Sequence, residues 1–223
     1  MRLFYRLLRF IAQMLFLVYL RGRAFHRRRV PQNGPVLLAC NHQSFMDPVL
    51  AALALHREAN FMARDTLFRQ RHFGRLINGL NAFPVRRGAG DVAAVKEILR
   101  RLRDGGLVVV FPEATRTADG RTGRVNANAM AIAKKSAATI VPTVIDGAFD
   151  AWPRHRPVPL PATVHVTYGR PITAGELADM TPGQIAEAVK GQWNDILERS
   201  TRWRSAGGRG TAGRADHSST GAA

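Results

Sequence analysis

The run LVVVF at residues 107–111 constrains the fold more than any other stretch of this chain. It is apolar throughout, rich in β-branched residues, preceded by Gly105-Gly106 and followed by PEATR, so it reads as a strand buried on both faces. GPVLLAC (34–40), NAFPV (81–85), TIVPTVI (139–145) and ATVHVTYG (162–169) read as further strands, with Pro142 predicting an edge or a bulge. Helical patterns fall between them. Asp47-Pro48 suits a helix start, with aspartate as N-cap and proline in the first turn, ahead of VLAALAL. Asp91 is the expected cap of a helix whose apolar positions are Val92, Val95, Leu99 and Leu102, stopped by Gly105-Gly106. A helix through NANAMAIAKKSA leads into the strand at 139, and TPGQ (181–184) is a capping box for a helix to about Arg199. Strands alternating with helices, without internal repeats, indicate an α/β layered fold.

A length of 223 residues suits one such domain with short extensions. The single cysteine, Cys40, excludes an internal disulfide and a cysteine-based zinc cluster. The net charge of +17, from 33 Lys and Arg against 16 Asp and Glu, favours an anionic partner such as membrane, nucleic acid or a phosphorylated substrate. Only Lys96, Lys134, Lys135 and Lys190 are lysines, so part of the excess is an arginine bias. The charge is also uneven: no acidic residue precedes Asp47, whereas eight arginines do. Residues 1–29 therefore form a cationic amphipathic segment. Its apolar stretch from Ile11 to Leu20 is short for a spanning helix, and Arg6 and Arg9 snorkel more readily from a helix lying in the membrane interface. A spanning helix and an ordinary core helix are the alternatives. The folded domain is expected over 30–203, and 204–223, dominated by Gly, Ser, Ala, Thr and Arg, is expected to be a disordered tail.

Three polar clusters follow predicted strands: NHQSFMD after 35–40, RRG after AFPV, and PEATR after LVVVF. Ligands of open α/β sheets gather beyond the carboxyl ends of strands, so these loops are expected to converge. His42 and Asp47, five apart, point away from each other on a regular helix but can meet in a loop that enters one. Two readings follow from that spacing. Asp47 is either a plain N-cap beside a solvated histidine, or the partner that fixes the tautomer of a general base. Cys40, on the same strand end, offers a nucleophile that the histidine could activate or simply a small buried hydrophobe. His56, His72, His155 and His165 have no metal-ligand spacing, and no metal site is expected.

Over residues 33–172 the chain resembles the glycerophospholipid acyltransferase family, typified by 1-acyl-glycerol-3-phosphate acyltransferase. Four blocks stand in the family's order: NHQSFMD for Asn-His-x4-Asp, AFPVRRG for the arginine block, FPEATR for Phe-Pro-Glu-Gly-Thr-Arg, and IVP for the late proline block. The resemblance implies a mixed, largely parallel sheet flanked by helices, preceded by an N-terminal membrane-associating helix. It also implies an acyltransferase that moves a fatty acyl group from acyl-CoA or acyl carrier protein to the hydroxyl of a lysophospholipid, without a cofactor. His42 would be the base and Asp47 its partner. Arg87, with Arg86 beside it, and Glu113, Thr115 and Arg116 match the acceptor-binding positions, where guanidinium groups suit a phosphate monoester. Membrane lipids are the expected surroundings, on the cytoplasmic face. Nucleic acid is not an expected partner, since no stacking aromatics are interleaved with the arginines. Ala114 replaces the usual glycine of the third block, Thr117 its common serine, and Asn126 and Asn128 occupy a stretch where Lys-x-Gly is frequent.

Overall fold

The computed structural model describes residues 3–85 and 92–205. Five neighbouring strands of one seven-stranded sheet run parallel: β2 (Val36–Cys40), β3 (Ala59–Arg64), β4 (Ala82–Val85), β5 (Leu107–Val110) and β6 (Thr139–Asp146). Outside β6 lies β7 (His165–Tyr168), antiparallel to it, and β1 (Arg23–Phe25) closes that edge parallel to β7. The spatial order is β1-β7-β6-β2-β5-β3-β4. The mixed, largely parallel α/β sheet expected from the sequence is the one observed.

Alternation along the strands divides the core. Leu37, Ala39, Val108, Val110, Ile140 and Val144 face α5 (Val92–Arg103), α6 (Ala127–Lys135) and α9 (Pro182–Ser205), where Trp193 is fully enclosed. Val36, Leu38, Cys40, Val109, Val141 and Ile145 face α2 (Asp47–Leu53), α7 (Ala148–Ala151) and the end of the N-terminal segment. That segment is α1 (Leu3–Met14) followed by a π-helical turn over Leu15–Tyr19. One side of α1 is tied down: the Tyr5 hydroxyl accepts from the Ala59 N–H at 3.4 Å, and the Gln13 amide donates to the Leu53 carbonyl at 3.0 Å. The other side leaves Leu3, Leu7, Phe10, Ile11 and Met14 exposed. Among the described residues no helix is long and apolar enough to cross a membrane.

Between α1, α2, β3 and α4 (Arg71–Gly79) lies an apolar cleft of about 380 Å³, lined by Leu8, Phe45, Val49, Phe61, Leu76 and Ile77 among others.

Several expectations need amendment. Pro142 is not on an edge, because β6 lies between β2 and β7. The missing N–H falls on the β7 side, where the antiparallel ladder runs out after Thr143 and Tyr168 and the Pro142 carbonyl accepts from Gly169 at 2.7 Å. The next pairing is Ile140 with Ile172, so Arg170 and Pro171 together oppose Val141, which is a bulge on the partner. The predicted capping box is present at Thr181 and Gln184, but its helix continues past Arg199 to Ser205. A second box, Thr173 with Glu176, opens α8 (Ala174–Ala178). β1 and β3 were not foreseen, and β1 knits residues of the N-terminal segment into the sheet. The expected Asp91 cap, and the tail from residue 206 onward, lie outside the described residues.

Candidate active site

The site grows from the carboxyl end of β2. One residue past the last β2–β6 backbone pair, the buried Asn41 side chain continues the ladder: it accepts from the Ile145 N–H at 2.7 Å and donates to the Ile145 carbonyl at 3.0 Å. The loop thus leaves the sheet in a defined direction. His42 follows, and its backbone is gripped from both sides by the loop after β5. Its N–H donates to Glu113 Oε1 at 3.0 Å, and its carbonyl accepts from the Thr117 N–H at 2.9 Å. Two of the three clusters therefore converge as the sequence led us to expect. β4 ends on the same side of the sheet, but Arg86 and Arg87 lie outside the described residues.

The His42 ring stacks on Phe111, centroids 4.1 Å apart and planes 22° apart, and its Nδ1 lies 2.8 Å from Asp47 Oδ2. The imidazole is 20% exposed, while Asp47 is fully enclosed. Asp47 does not act as the N-cap: Met46 holds that position and Asp47 is in the first turn of α2. Its carboxylate bends back into the loop, where Oδ2 also accepts from the N–H groups of Gln43 and Ser44, each at 2.6 Å. The turn before the helix wraps the carboxylate, so its donors lie upstream of the helix. Burial pushes the Asp47 carboxyl above the ordinary aspartate range, while His42 and the two amides pull it back. A carboxylate on Nδ1 holds the tautomer in which Nε2 carries the lone pair, so a partly exposed ring can take a proton there.

Glu113 uses both oxygens on backbone donors, Oε1 on His42 and Oε2 on Gly123 at 2.8 Å. Burial raises its carboxyl, and the two amides, Lys190 and His42 oppose the rise. Ala114, at the block's usual glycine, has φ +61°, so the loop keeps the left-handed conformation despite the methyl group. Thr115 is exposed, and the Arg116 guanidinium carbon stacks 3.6 Å over the Phe45 ring at the mouth of the cleft. The Gln43 amide donates to the Gly120 carbonyl at 2.7 Å, a further tie between the loops. Asn126 caps α6, accepting from the Asn128 N–H at 2.8 Å. Cys40 is fully buried, and burial pushes its thiol up, away from the thiolate a nucleophile needs.

Lys190 was not foreseen. Its ammonium reaches from α9 to the loop at Thr122 and Gly123, and the only signal in the sequence is that it is one of four lysines in an arginine-biased chain.

Comparison with known proteins bears on the family and the fold. A 1-acyl-sn-glycerol-3-phosphate acyltransferase of Bacillus subtilis (strain 168) is 27% identical over 131 residues, 57% of this chain and 65% of that protein. The chloroplastic 1-acyl-sn-glycerol-3-phosphate acyltransferase LPAT1 of Arabidopsis thaliana is 29% identical over 121 residues, 53% of this chain and 34% of its own length. This chain thus spans just under two thirds of the first relative and about a third of the second. The enzyme of the same name from Streptococcus pneumoniae (strain ATCC BAA-255 / R6) is 26% identical over 213 residues, 91% of this chain and 76% of that one. The crystal structure of the 1-acyl-sn-glycerophosphate acyltransferase PlsC from Thermotoga maritima has the same fold, with a TM-score of 0.76 at 22% identity over 88% of this chain and 79% of that one. The model of the family described as Acyltransferase matches residues 23–146, which is more than half of the chain and includes His42, Asp47 and Glu113, and the chain belongs to that family.

Proposed function

We propose that this protein moves a fatty acyl group from a thioester, acyl-CoA or acyl carrier protein, to the free hydroxyl of 1-acyl-glycerol-3-phosphate, giving phosphatidic acid. The observation that carries the reading is the His42–Asp47 contact at 2.8 Å in the segment that also contributes Phe45, Pro48 and Val49 to the apolar cleft. A base and an acyl-sized groove meet in a few residues of chain.

In this reading the acceptor hydroxyl gives its proton to His42 Nε2 as its oxygen attacks the thioester carbonyl carbon. Asp47 steadies the imidazolium that forms. The tetrahedral intermediate collapses with cleavage of the C–S bond, and the departing thiolate takes the proton from His42. The acyl chain of the donor occupies the cleft. Arg116, held flat on Phe45, takes the acceptor phosphate together with Arg86 and Arg87, and Glu113 and Thr115 complete the loop on the acceptor side. α1 rests on the cytoplasmic face of the membrane with Leu3, Leu7, Phe10 and Ile11 in the acyl boundary and its neighbouring arginines at the headgroups.

The test is acyl transfer by purified protein with thioester donors and a panel of lysophospholipid acceptors. Wild type is expected to form phosphatidic acid. His42→Ala is expected to lose about 10²–10⁴ in turnover, the usual contribution of a positioned base. Product formation from a different acceptor would reassign the substrate. Full turnover of His42→Ala would remove the mechanism.

A further inference from the structure

We propose that Lys190, on the last helix of the fold, is a positioning residue for His42. The proposal rests on the reading of His42 as the base, and its geometry runs through three hydrogen-bonded steps. Lys190 Nζ donates to the Thr122 carbonyl at 2.8 Å, the Thr122 hydroxyl at 2.6 Å and the Gly123 carbonyl at 2.9 Å. An ammonium has three protons, and each has an acceptor here, so the group is fully used in fixing this loop. The Gly123 N–H donates to Glu113 Oε2, and Glu113 Oε1 accepts from the His42 N–H. The backbone that carries the imidazole is therefore tied, through one carboxylate and one loop, to a helix that lies outside the stretch matched by the family model.

Two further features fit a clamp better than a casual surface contact. A Cβ on Gly123 would lie 2.9 Å from Glu113 Oε2, so the loop approaches the carboxylate as closely as a residue without a side chain allows. Lys190 and Glu113 also carry opposite charges on either side of that loop, and each favours the ionised form of the other. Lysine rather than arginine suits the task. A compact ammonium directs three tetrahedral donors at acceptors on two adjacent residues, whereas a planar guanidinium presents a rigid fork.

The experiment uses the full chain with Lys190→Met, Lys190→Arg and Gly123→Ala. Hydrogen–deuterium exchange without substrate is followed in the peptides that contain His42 and Gly123, and kcat and KM are measured for acyl transfer. Lys190→Met is expected to speed exchange at both amides and to lower kcat about tenfold, with donor KM within about twofold, as misplacing a catalytic group does. Lys190→Arg is expected to recover part of both losses. Gly123→Ala, which presses on Glu113 directly, is expected to speed exchange at His42 while Lys190 is intact, and it decides the matter if Lys190→Met does not fold. Unchanged exchange at His42 in the folded variants overturns the clamp. Faster exchange with unaltered kcat overturns its catalytic role. Wild type without acyl transfer is the failure of the proposed function instead, and exchange still decides whether Lys190 holds His42.

Discussion

Trp193 and Val49 sit on opposite sides of one sheet. The first is fully enclosed, with its indole N–H donating to the Ala39 carbonyl at 3.2 Å; the second is partly exposed and lines the cleft. On the α9 side the strands meet Leu102, Met130, Ile185 and Val189, and the small strand residue Ala39 is matched by a large one, Trp193. On the α2 side an apolar cleft of about 380 Å³ opens between α1, α2, β3 and α4. One face is thus closed around a large aromatic, while the other is incomplete at an apolar cleft. The proposed base stands over the seam, held by Asp47 from the incomplete side and, through Glu113, by Lys190 from the complete one.

Trp193→Ala should separate the faces most sharply. It is expected to cost about 3–5 kcal/mol of unfolding free energy in urea titrations, the range for a fully buried aromatic. A cost below that of an ordinary surface change would break the contrast. Filling the cleft with Val49→Trp is the converse. Stability is expected to move by about 0.5 kcal/mol or less, as at other exposed positions, while turnover with long-chain thioesters falls about tenfold relative to short ones, the value of one or two methylenes of lost apolar contact. Equal loss at every chain length would place the donor elsewhere. Ala114→Gly tests the loop that joins the two faces. Relieving a left-handed alanine is expected to stabilise the protein by about 1 kcal/mol, read from its melting temperature. A stability change as small as that of Val49→Trp, about 0.5 kcal/mol or less, is expected from Leu7→Ser on the outer side of α1. Its binding to vesicles of anionic phospholipid should nevertheless fall measurably, and undiminished binding would remove α1 from the membrane surface.

The closed face was the more legible one in the sequence. LVVVF, VLLAC and TIVPTVI announce buried strands because a strand covered on both faces has no polar alternation to blur it. β1 is only Arg23–Phe25 and hides in an arginine run, where its sheet pairing comes from a distant strand rather than from local pattern. β3 carries a weak period of two, Ala59 and Phe61 buried against Asn60 and Met62, which went unread. His42 and Asp47 were visible by their company of blocks, but not the way they meet. A capping argument looks forward along the helix, whereas this carboxylate turns back to the loop. Ala114 departs from the usual glycine, and the loop nevertheless holds it at positive φ, flanked by Glu113, which accepts from the His42 and Gly123 N–H groups, and Thr117, whose N–H donates to the His42 carbonyl. Lys190 stood beyond reach, since one lysine on an amphipathic helix says nothing of the loop it will meet.

The pairing of β1 with β7 also bears on the order of assembly. Among the described residues β1 pairs with β7 alone, so this edge joins the two ends of the sheet-forming sequence. Contacts of such long sequence separation carry the largest closure entropy and form late. During synthesis, α1 is made before its anchors at Leu53 and Ala59. For that interval the inner side of the helix is as uncovered as the outer one.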